Sequence, residues 1–258
     1  MVTELSGIVL RATDIKESDR LLTIYTDKMG IITALAKGAR SIKSRKLAST
    51  QQFCYSNFII YGVADKLYVR EAELVESFYS VRDSIESLAL AMYVTEVIEN
   101  VATAEPDSDL LRLTLNTLYA IGKGTYGLDK VKAAFEMRTV TILGFMPDVL
   151  SCSRCERTEG DFFFDVMAGA LECNECHKLS DRTNDRLTDP HESSILCILT
   201  DGAKNALAYS IYAPLEKLFS FNIGAEDMRL FSRAAEEYIL NHLERSFRTL
   251  EFYNEVKR

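Results

Sequence analysis

No apolar run in this 258-residue chain approaches the roughly 18–20 residues that a membrane-spanning helix needs. The N-terminus, MVTELSGIVLRATD, has neither a basic start nor an apolar core, so no export signal is expected. Histidine is scarce: His177, His191 and His242 are scattered, and no H-E-x-x-H or Ser-His-Asp arrangement can be drawn from them. The glycine-rich stretch GKGTYG (122–127) lacks the spacing of a phosphate-binding loop, which argues against a nucleotide site there. The sequence has no internal repeat and no low-complexity tract. Glu136 and Arg138 sit too close along one predicted helix to face each other, so they suggest no acid–base dyad.

Acidic residues are missing from one place. From Lys28 to Ala64 there are six basic residues and no Asp or Glu, although the chain carries a net charge of −8. Residues 1–80 hold 11 Lys+Arg against 9 Asp+Glu, and residues 81–258 hold 19 against 29. An overall acidic protein is a poor generic binder of nucleic acid, so any such surface must be local. The shift in charge places a domain boundary near residue 80, dividing 1–80 from 81–258. Hydrophobic content of 47% and charged content of 26% are ordinary for a globular chain, and the length allows one large domain or two small ones.

The first eighty residues read as strands. GIVLR, LLTIYT, GIITALAK, SNFIIYG and KLYVREAELVE are short and rich in β-branched and aromatic residues, with a turn expected over Gly62–Lys66. Five short strands suit a small closed barrel, either an OB-fold or an SH3-like barrel. After residue 80 the period changes. Ile85, Leu88 and Met92 form one helical stripe, and Ala91, Val94, Ile98 and Val101 form another, so this helix is expected to be buried. Leu110–Ile121 and Asp129–Leu143 read as helices, the second stopped by Gly144 and Pro147. Residues 178–192 read as a polar loop, with Asp189-Pro190 opening a further helical region. Phe231, Ala235, Tyr238, Ile239 and His242 make a last apolar stripe. The fold class expected is α+β and multi-domain.

Four of the six cysteines form CSRCERTEGDFFFDVMAGALECNEC, residues 152–176. The spacing C-x2-C-x17-C-x2-C is that of a zinc ribbon, with Cys152, Cys155, Cys173 and Cys176 as ligands and a short hairpin between the pairs, in an insert at 150–178. Four thiolates leave no open position for water, so one structural zinc per chain is expected rather than a catalytic one. No H-x-E element precedes the pair, as a zinc deaminase would need. The βαβ context of a thioredoxin-like redox pair is also missing. His177 is an alternative to Cys176 as ligand. Cys54 and Cys197 read as buried thiols, and the whole pattern suits a reducing cytoplasm.

KGARSIKSRK, residues 37–46, places Lys37, Arg40, Lys43, Arg45 and Lys46 in a loop at the exit of a strand. Such a strip is either a solvated loop or one wall of a single-strand groove, for which Phe53, Tyr55, Phe58, Tyr61 and Tyr68 offer stacking platforms. Asp14, Glu17 and Asp19 form an acidic turn, a solvated one or a cation site.

Several segments together resemble the RecO family of bacterial recombination mediators. GIVLRATDIKESDRLLTIYT, GIITALAKGARSIKS and LYVREAELVESF are similar to its N-terminal domain, and AAFEMRTVTILGFMPDVLSCSRC to the central helix leading into its cysteine motif. The resemblance implies an N-terminal OB-fold followed by a mostly helical domain with a zinc ribbon. It implies a non-enzymatic, cytoplasmic, nucleoid-associated protein in recombinational repair of gapped DNA. Such a protein binds single- and double-stranded DNA, anneals complementary strands, pairs with RecR and contacts the C-terminal tail of single-strand-binding protein, helping to load RecA. Carried over by position, Arg11, Lys37 and Arg40 join Lys43, Arg45 and Lys46 as DNA-contacting candidates. Because the chain is acidic, its DNA surface must be narrow or shared with a partner. A zinc-ribbon scaffold or transcription-associated factor without annealing activity is an alternative, as is a metal-dependent nuclease. Annealing without nucleotide, binding to RNA polymerase, or metal-dependent cleavage separates the three.

Overall fold

The computed structural model describes residues 2–183 and 195–257. These fall into two compact units, Met1–Thr125 with Phe247–Arg258, and Tyr126–Ser246.

The first unit is built on five strands: β1 (Val2–Ile15), β2 (Asp19–Thr26), β3 (Gly30–Ala36), β4 (Cys54–Val63) and β5 (Lys66–Ser77). They close into a barrel in the order β1-β2-β3-β5-β4, with β3 and β5 parallel. This is the OB-fold arrangement and excludes the SH3-like alternative. Closure depends on the length of β1. Its first half pairs with β4 (Val2↔Tyr61 to Ile8↔Tyr55) and its second half with β2, with a bulge between Val9 and Arg11 that turns the strand. Gly7 lies at the crossover, where a Cβ would come within 2.7 Å of Ile24 Cγ2 and 2.8 Å of the Tyr25 carbonyl oxygen. The barrel core is Leu5, Val9, Leu22, Ile24, Ile32, Phe58, Ile60 and Val69 with three small alanines. Phe53 and Phe58 are in the interior, while Tyr55, Tyr61 and Tyr68 are half-exposed.

Three helices complete this unit: α1 (Ile85–Val101), α2 (Ser108–Lys123) and α7 (Arg248–Val256). The Ser84 hydroxyl caps α1 by accepting from Ser87 N–H, and the Asp107 carboxylate caps α2. As its all-round apolar pattern implies, α1 is buried, with Ala89, Leu90, Tyr93, Val94, Val97 and Ile98 closed off from water. The barrel strands end at Ser77, but the unit continues because the α1–α2 connection bonds to the barrel. Ile31 N–H donates to Thr103 O at 2.9 Å, and Tyr25 Oη–H donates to Asp107 O at 3.0 Å. α7 packs along α1, where Phe247 meets Tyr93 edge-on and the Glu96 carboxylate accepts from Thr249 N–H at 3.1 Å.

The second unit holds α3 (Leu128–Ile142), α5 (Asp201–Tyr212) and α6 (Ala225–His242), packed on one another. A four-stranded sheet lies against α5 and α6. Its strands are β6 (Asp148–Cys152), β7 (Phe162–Asp165), β8 (Ala170–Cys173) and β9 (Leu196–Leu199), in the order β6-β8-β7-β9. The expected hairpin is β7–β8, widened on each side by a strand the sequence did not announce. The expected polar loop differs too: a helix, α4 (Asn174–Thr183), occupies its first residues, and the remainder lies outside the described residues. Asp189-Pro190, where a further helical region is expected to open, lies outside the described residues; the next described helix is α5, at Asp201 after β9. No helix among the described residues is long and apolar enough to cross a membrane.

Candidate nucleic-acid interface and metal centre

The sulfurs of Cys152, Cys155, Cys173 and Cys176 all lie within 4.8 Å of one another, and all six cysteines of the chain are free thiols. Cys152 ends β6, and a tight turn with Glu156 in the left-handed region brings Cys155 back beside it. Glu156 N–H donates to Cys152 O at 2.9 Å, and Cys152 N–H to Arg157 O at 2.8 Å. Cys173 ends β8, and Cys176 stands in the first turn of α4. A tetrahedron with metal–sulfur bonds of about 2.3 Å has edges of about 3.8 Å. The Cys155–Cys173 separation of 3.6 Å is close to such an edge, so the donor set fits one tetrahedral cation.

The charges also fit a cation. Burial pushes the Cys152 thiol up, but N–H donors from Cys173, Arg154 and Cys155 outweigh it and bring the thiol down to about 6. The hydrogen bond to Cys155 and then burial push Cys176 up to about 12. Four sulfurs in this space cannot all ionise unless something positive sits among them. His177 is not part of the cluster: its Nδ1 is 3.0 Å from Glu172 Oε2, and its ring stacks on Phe163. Cys54 and Cys197 are buried, and burial pushes both thiols up, as in unreactive structural cysteines.

In the barrel unit, the basic strip fills the β3–β4 connection, and its five cations together with Arg11 of β1 divide into three groups. Lys37 is exposed, with its ammonium 5.1 Å from the centre of the Tyr68 ring. Tyr68 in turn stacks on Tyr61, centres 5.3 Å apart and 20° from parallel. The parallel β3–β5 pairing sets Leu35 beside Tyr68, and the β4–β5 register sets Tyr61 opposite Tyr68. Lys37, Tyr68 and Tyr61 therefore form one half-exposed array at an end of the barrel. Lys43 and Arg45 are exposed and make no ion pair among the described residues. The remaining three are engaged. Arg11 pairs with Glu99 at 2.7 Å, and Arg40 pairs with Asp14 at 3.2 Å and donates to Lys16 O. Lys46 is turned inward, donating to Val69 O, and burial pushes it below the usual lysine range, with Asp19 opposing.

Asp14 also pairs with Arg20, and the Asp19 carboxylate accepts from Gly38 N–H. Two of the three carboxylates of the acidic turn, Asp14 and Asp19, are thereby engaged by the barrel itself. A groove of about 1090 Å³ crosses β1, β4 and β5 beside the strip. Its cations Lys28, Arg45, Lys46 and Arg70 share it with Glu4, Glu71 and Glu73, a mixed field that suits phosphate less well than the Lys37 end.

Sequence reasoning missed one cluster. Lys132 and Glu136 of α3 are both 0% exposed, and Lys132 Nζ lies 2.9 Å from Glu136 and 2.7 Å from Glu236 of α6. The i,i+4 spacing of Lys132 and Glu136 was a readable signal, but nothing local marks Glu236 as the third member. Arg138, by contrast, donates to Ser210 O and Ala213 O.

Comparison with known proteins gives the family. The pattern for the N-terminal part of recombination protein O matches residues 1–78, and that for its C-terminal part matches residues 82–187. The DNA repair protein RecO of Acetivibrio thermocellus is 31% identical over 255 residues, 98% of this chain and 96% of its own. That of Alkaliphilus metalliredigens is 29% identical over 99% of this chain and 100% of its own, and that of Listeria monocytogenes is 34% identical over 66% and 67%. Similarity that runs from the first strand of the barrel past the four cysteines, over nearly the full length of both chains, makes this chain a member of the RecO family of DNA repair proteins.

Proposed function

We propose that the chain is a DNA-binding recombination mediator that works in the repair of gapped DNA. It holds single strands on its barrel and anneals complementary strands. With RecR it helps load RecA onto strands coated by single-strand-binding protein, whose tail it contacts. The observation that carries the reading is the Lys37–Tyr68–Tyr61 array: a cation and two stacked rings, half-exposed, on a closed OB barrel. Bases stack on such rings whatever their sequence, and lysine tracks the backbone. The Arg40–Asp14 pair is exposed, and pairs of that kind contribute little, so a phosphate can replace Asp14; Arg11 is exposed as well, though its partner Glu99 is half-buried.

The cation held by Cys152, Cys155, Cys173 and Cys176 is zinc on this reading, since four thiolates closing a tetrahedron is its usual structural site. It shapes the ribbon and takes no part in turnover. The chain works without catalysis: purified protein should anneal complementary strands with no nucleotide and should neither hydrolyse ATP nor cut DNA. A turnover that co-purifies with the chain and disappears on replacing one carboxylate would refute this.

Salt dependence tests the site. Each phosphate neutralised on a single strand contributes about −0.7 to the slope of log affinity against log salt, so contacts from Lys37, Lys43 and Arg45 give about −2. Replacing those three with alanine should weaken binding and flatten the slope together, while Lys217→Ala should change neither. A folded triple variant with unchanged affinity and slope would remove the DNA site from the barrel strip. Annealing of strands coated by single-strand-binding protein, with and without RecR, then tests the mediator role.

A further inference from the structure

The barrel unit carries a second grouping of exposed tyrosines with cations beside them, Lys123 exposed and Arg82 half-buried with a bond to Gln52 O, away from the array just described. The 3-10 turn Tyr79–Arg82 follows β5, and it packs on the C-terminal end of α2. The contact is close: Gly122 has no room for a side chain, because a Cβ there would collide with Ser80 Oγ. Tyr79 and Arg82 flank this contact on one element, and Tyr119 and Lys123 flank it on the other. Tyr79 is 65% exposed and Tyr119 56%, unusual for rings of this size in a folded unit. Each carries a cation. The Arg82 guanidinium lies 5.5 Å from the Tyr79 ring centre and 5.0 Å from that of Phe53, and the Lys123 ammonium lies 5.3 Å from that of Tyr119.

Charge makes the patch stand out. Residues 81–258 are strongly acidic, yet the sequence from Leu110 to Leu128 contains Arg112 and Lys123 and no acid. Arg112, Asn116, Tyr119 and Lys123 recur at helical spacing along one side of α2, with Asp109 beside Arg112 at its far end and Asp83 next to the 3-10 turn. Rings interleaved with cations on an otherwise acidic surface complement a polyanion with flat, apolar bases. The patch is also separate from the first array. Tyr68 stands near the start of β5 and Tyr79 just beyond its end, up to about 35 Å apart along the strand.

We propose that the face formed by Tyr79, Arg82, Tyr119 and Lys123 is a second single-strand-binding surface, which lets one chain hold two strands at once. It rests on the reading above that the barrel holds single strands. It adds what annealing requires, a second place for the complementary strand.

The test counts strands per chain. Full-length protein is mixed with two differently labelled oligothymidylates of about 15 nucleotides, the scale of one OB-fold site. Strands bound per chain are read by native mass spectrometry, and contacts are mapped by photocross-linking. Wild type should hold two strands, with cross-links both at Tyr61 or Tyr68 and at Tyr79 or Tyr119. The exposed-residue variant Tyr79→Ala/Tyr119→Ala/Lys123→Ala should keep its fold and its first strand. It should lose the second by about tenfold or more in affinity, and annealing should fall with it. The strip variant should show the reverse, losing the first strand while cross-links at Tyr79 and Tyr119 remain. Two strands still bound to the patch variant, or cross-links confined to the barrel array, would overturn the inference and leave the barrel reading intact. Failure of wild type to bind any strand would overturn both. If an acidic peptide with an apolar end binds the patch and oligothymidylate does not, the surface is a peptide site and the inference is wrong.

Discussion

A Cys173→Ser variant is expected to purify without metal and with the β6–β9 sheet unfolded. Cys173 ends the central strand β8, its N–H donates to Cys152 Sγ at 3.3 Å, and its own sulfur is 3.6 Å from that of Cys155. The sheet is small, each of its strands having only four or five residues. The ligands stand at strand ends and in the turns beside them, and the free energy of binding a structural zinc is folding free energy. A chelator should therefore act on wild type as the mutation does. Metal content and hydrogen exchange over residues 148–183 and 195–199 provide the check. Protein that is fully protected with under about a tenth of an equivalent of zinc would disprove the structural role. Lys217→Ala, distant from the sulfurs in sequence, serves as the control for handling.

Replacing Lys132 with methionine should destabilise the second unit by about 3–5 kcal/mol, the usual cost of removing one partner from a buried ion pair. The methionine fits the volume, so the loss is electrostatic. Glu136, fully buried, and Glu236 would then both lose the ammonium that lies between them. Adding Glu136→Leu should recover much of the loss, because Glu236 is 28% exposed and can reach water. Burial drives the Lys132 ammonium towards neutrality, but Glu136 and Glu236 outweigh it, so its pKa is raised. The sign follows: a raised lysine pKa contributes stability that is complete below the ordinary lysine range and fades only as pH climbs above it. The contribution of the Lys132 charge to wild-type stability should thus hold across neutral pH and fade only in strong alkali, while Lys132→Met, whose buried Glu136 carboxylate has lost its cation, should gain on wild type as pH falls. A denaturation midpoint that hardly moves in Lys132→Met would show that the triad does not hold α3 to α6.

The sequence made the barrel legible because its strands are local runs of β-branched and aromatic residues. The ends of four of them moved by no more than two residues, with Ala64 and Asp65 forming the expected turn, but β1, read as GIVLR, runs from Val2 to Ile15, because β4 and β2 pair with its two halves. The four cysteines were legible for a similar reason, as two close pairs separated by a hairpin. What escaped was non-local. β9 is four residues long and is a strand only because β7 accepts it in register, Phe163 opposite Ile198. Glu236 joins Lys132 across more than a hundred residues. Charge alone put a boundary near residue 80, where the barrel does end. It could not show Tyr25 and Ile31 bonding to the α1–α2 connection and drawing two helices into the same unit. The basic strip was visible as a run of cations. Its sorting into a ring-stacked Lys37, an inward Lys46 and a paired Arg40 depends on which strand each meets.

The return of α7 to the barrel unit has a consequence for synthesis. Tyr126–Ser246 is contiguous and can fold as soon as it leaves the ribosome, but the unit begun at residue 1 needs Phe247, Leu250 and Tyr253 to cover α1. At about 5–20 residues per second, translation of the intervening segment takes on the order of ten seconds. Through that interval the Tyr93 side of α1 is without its α7 cover, and a chain that stalls before Phe247 never closes it.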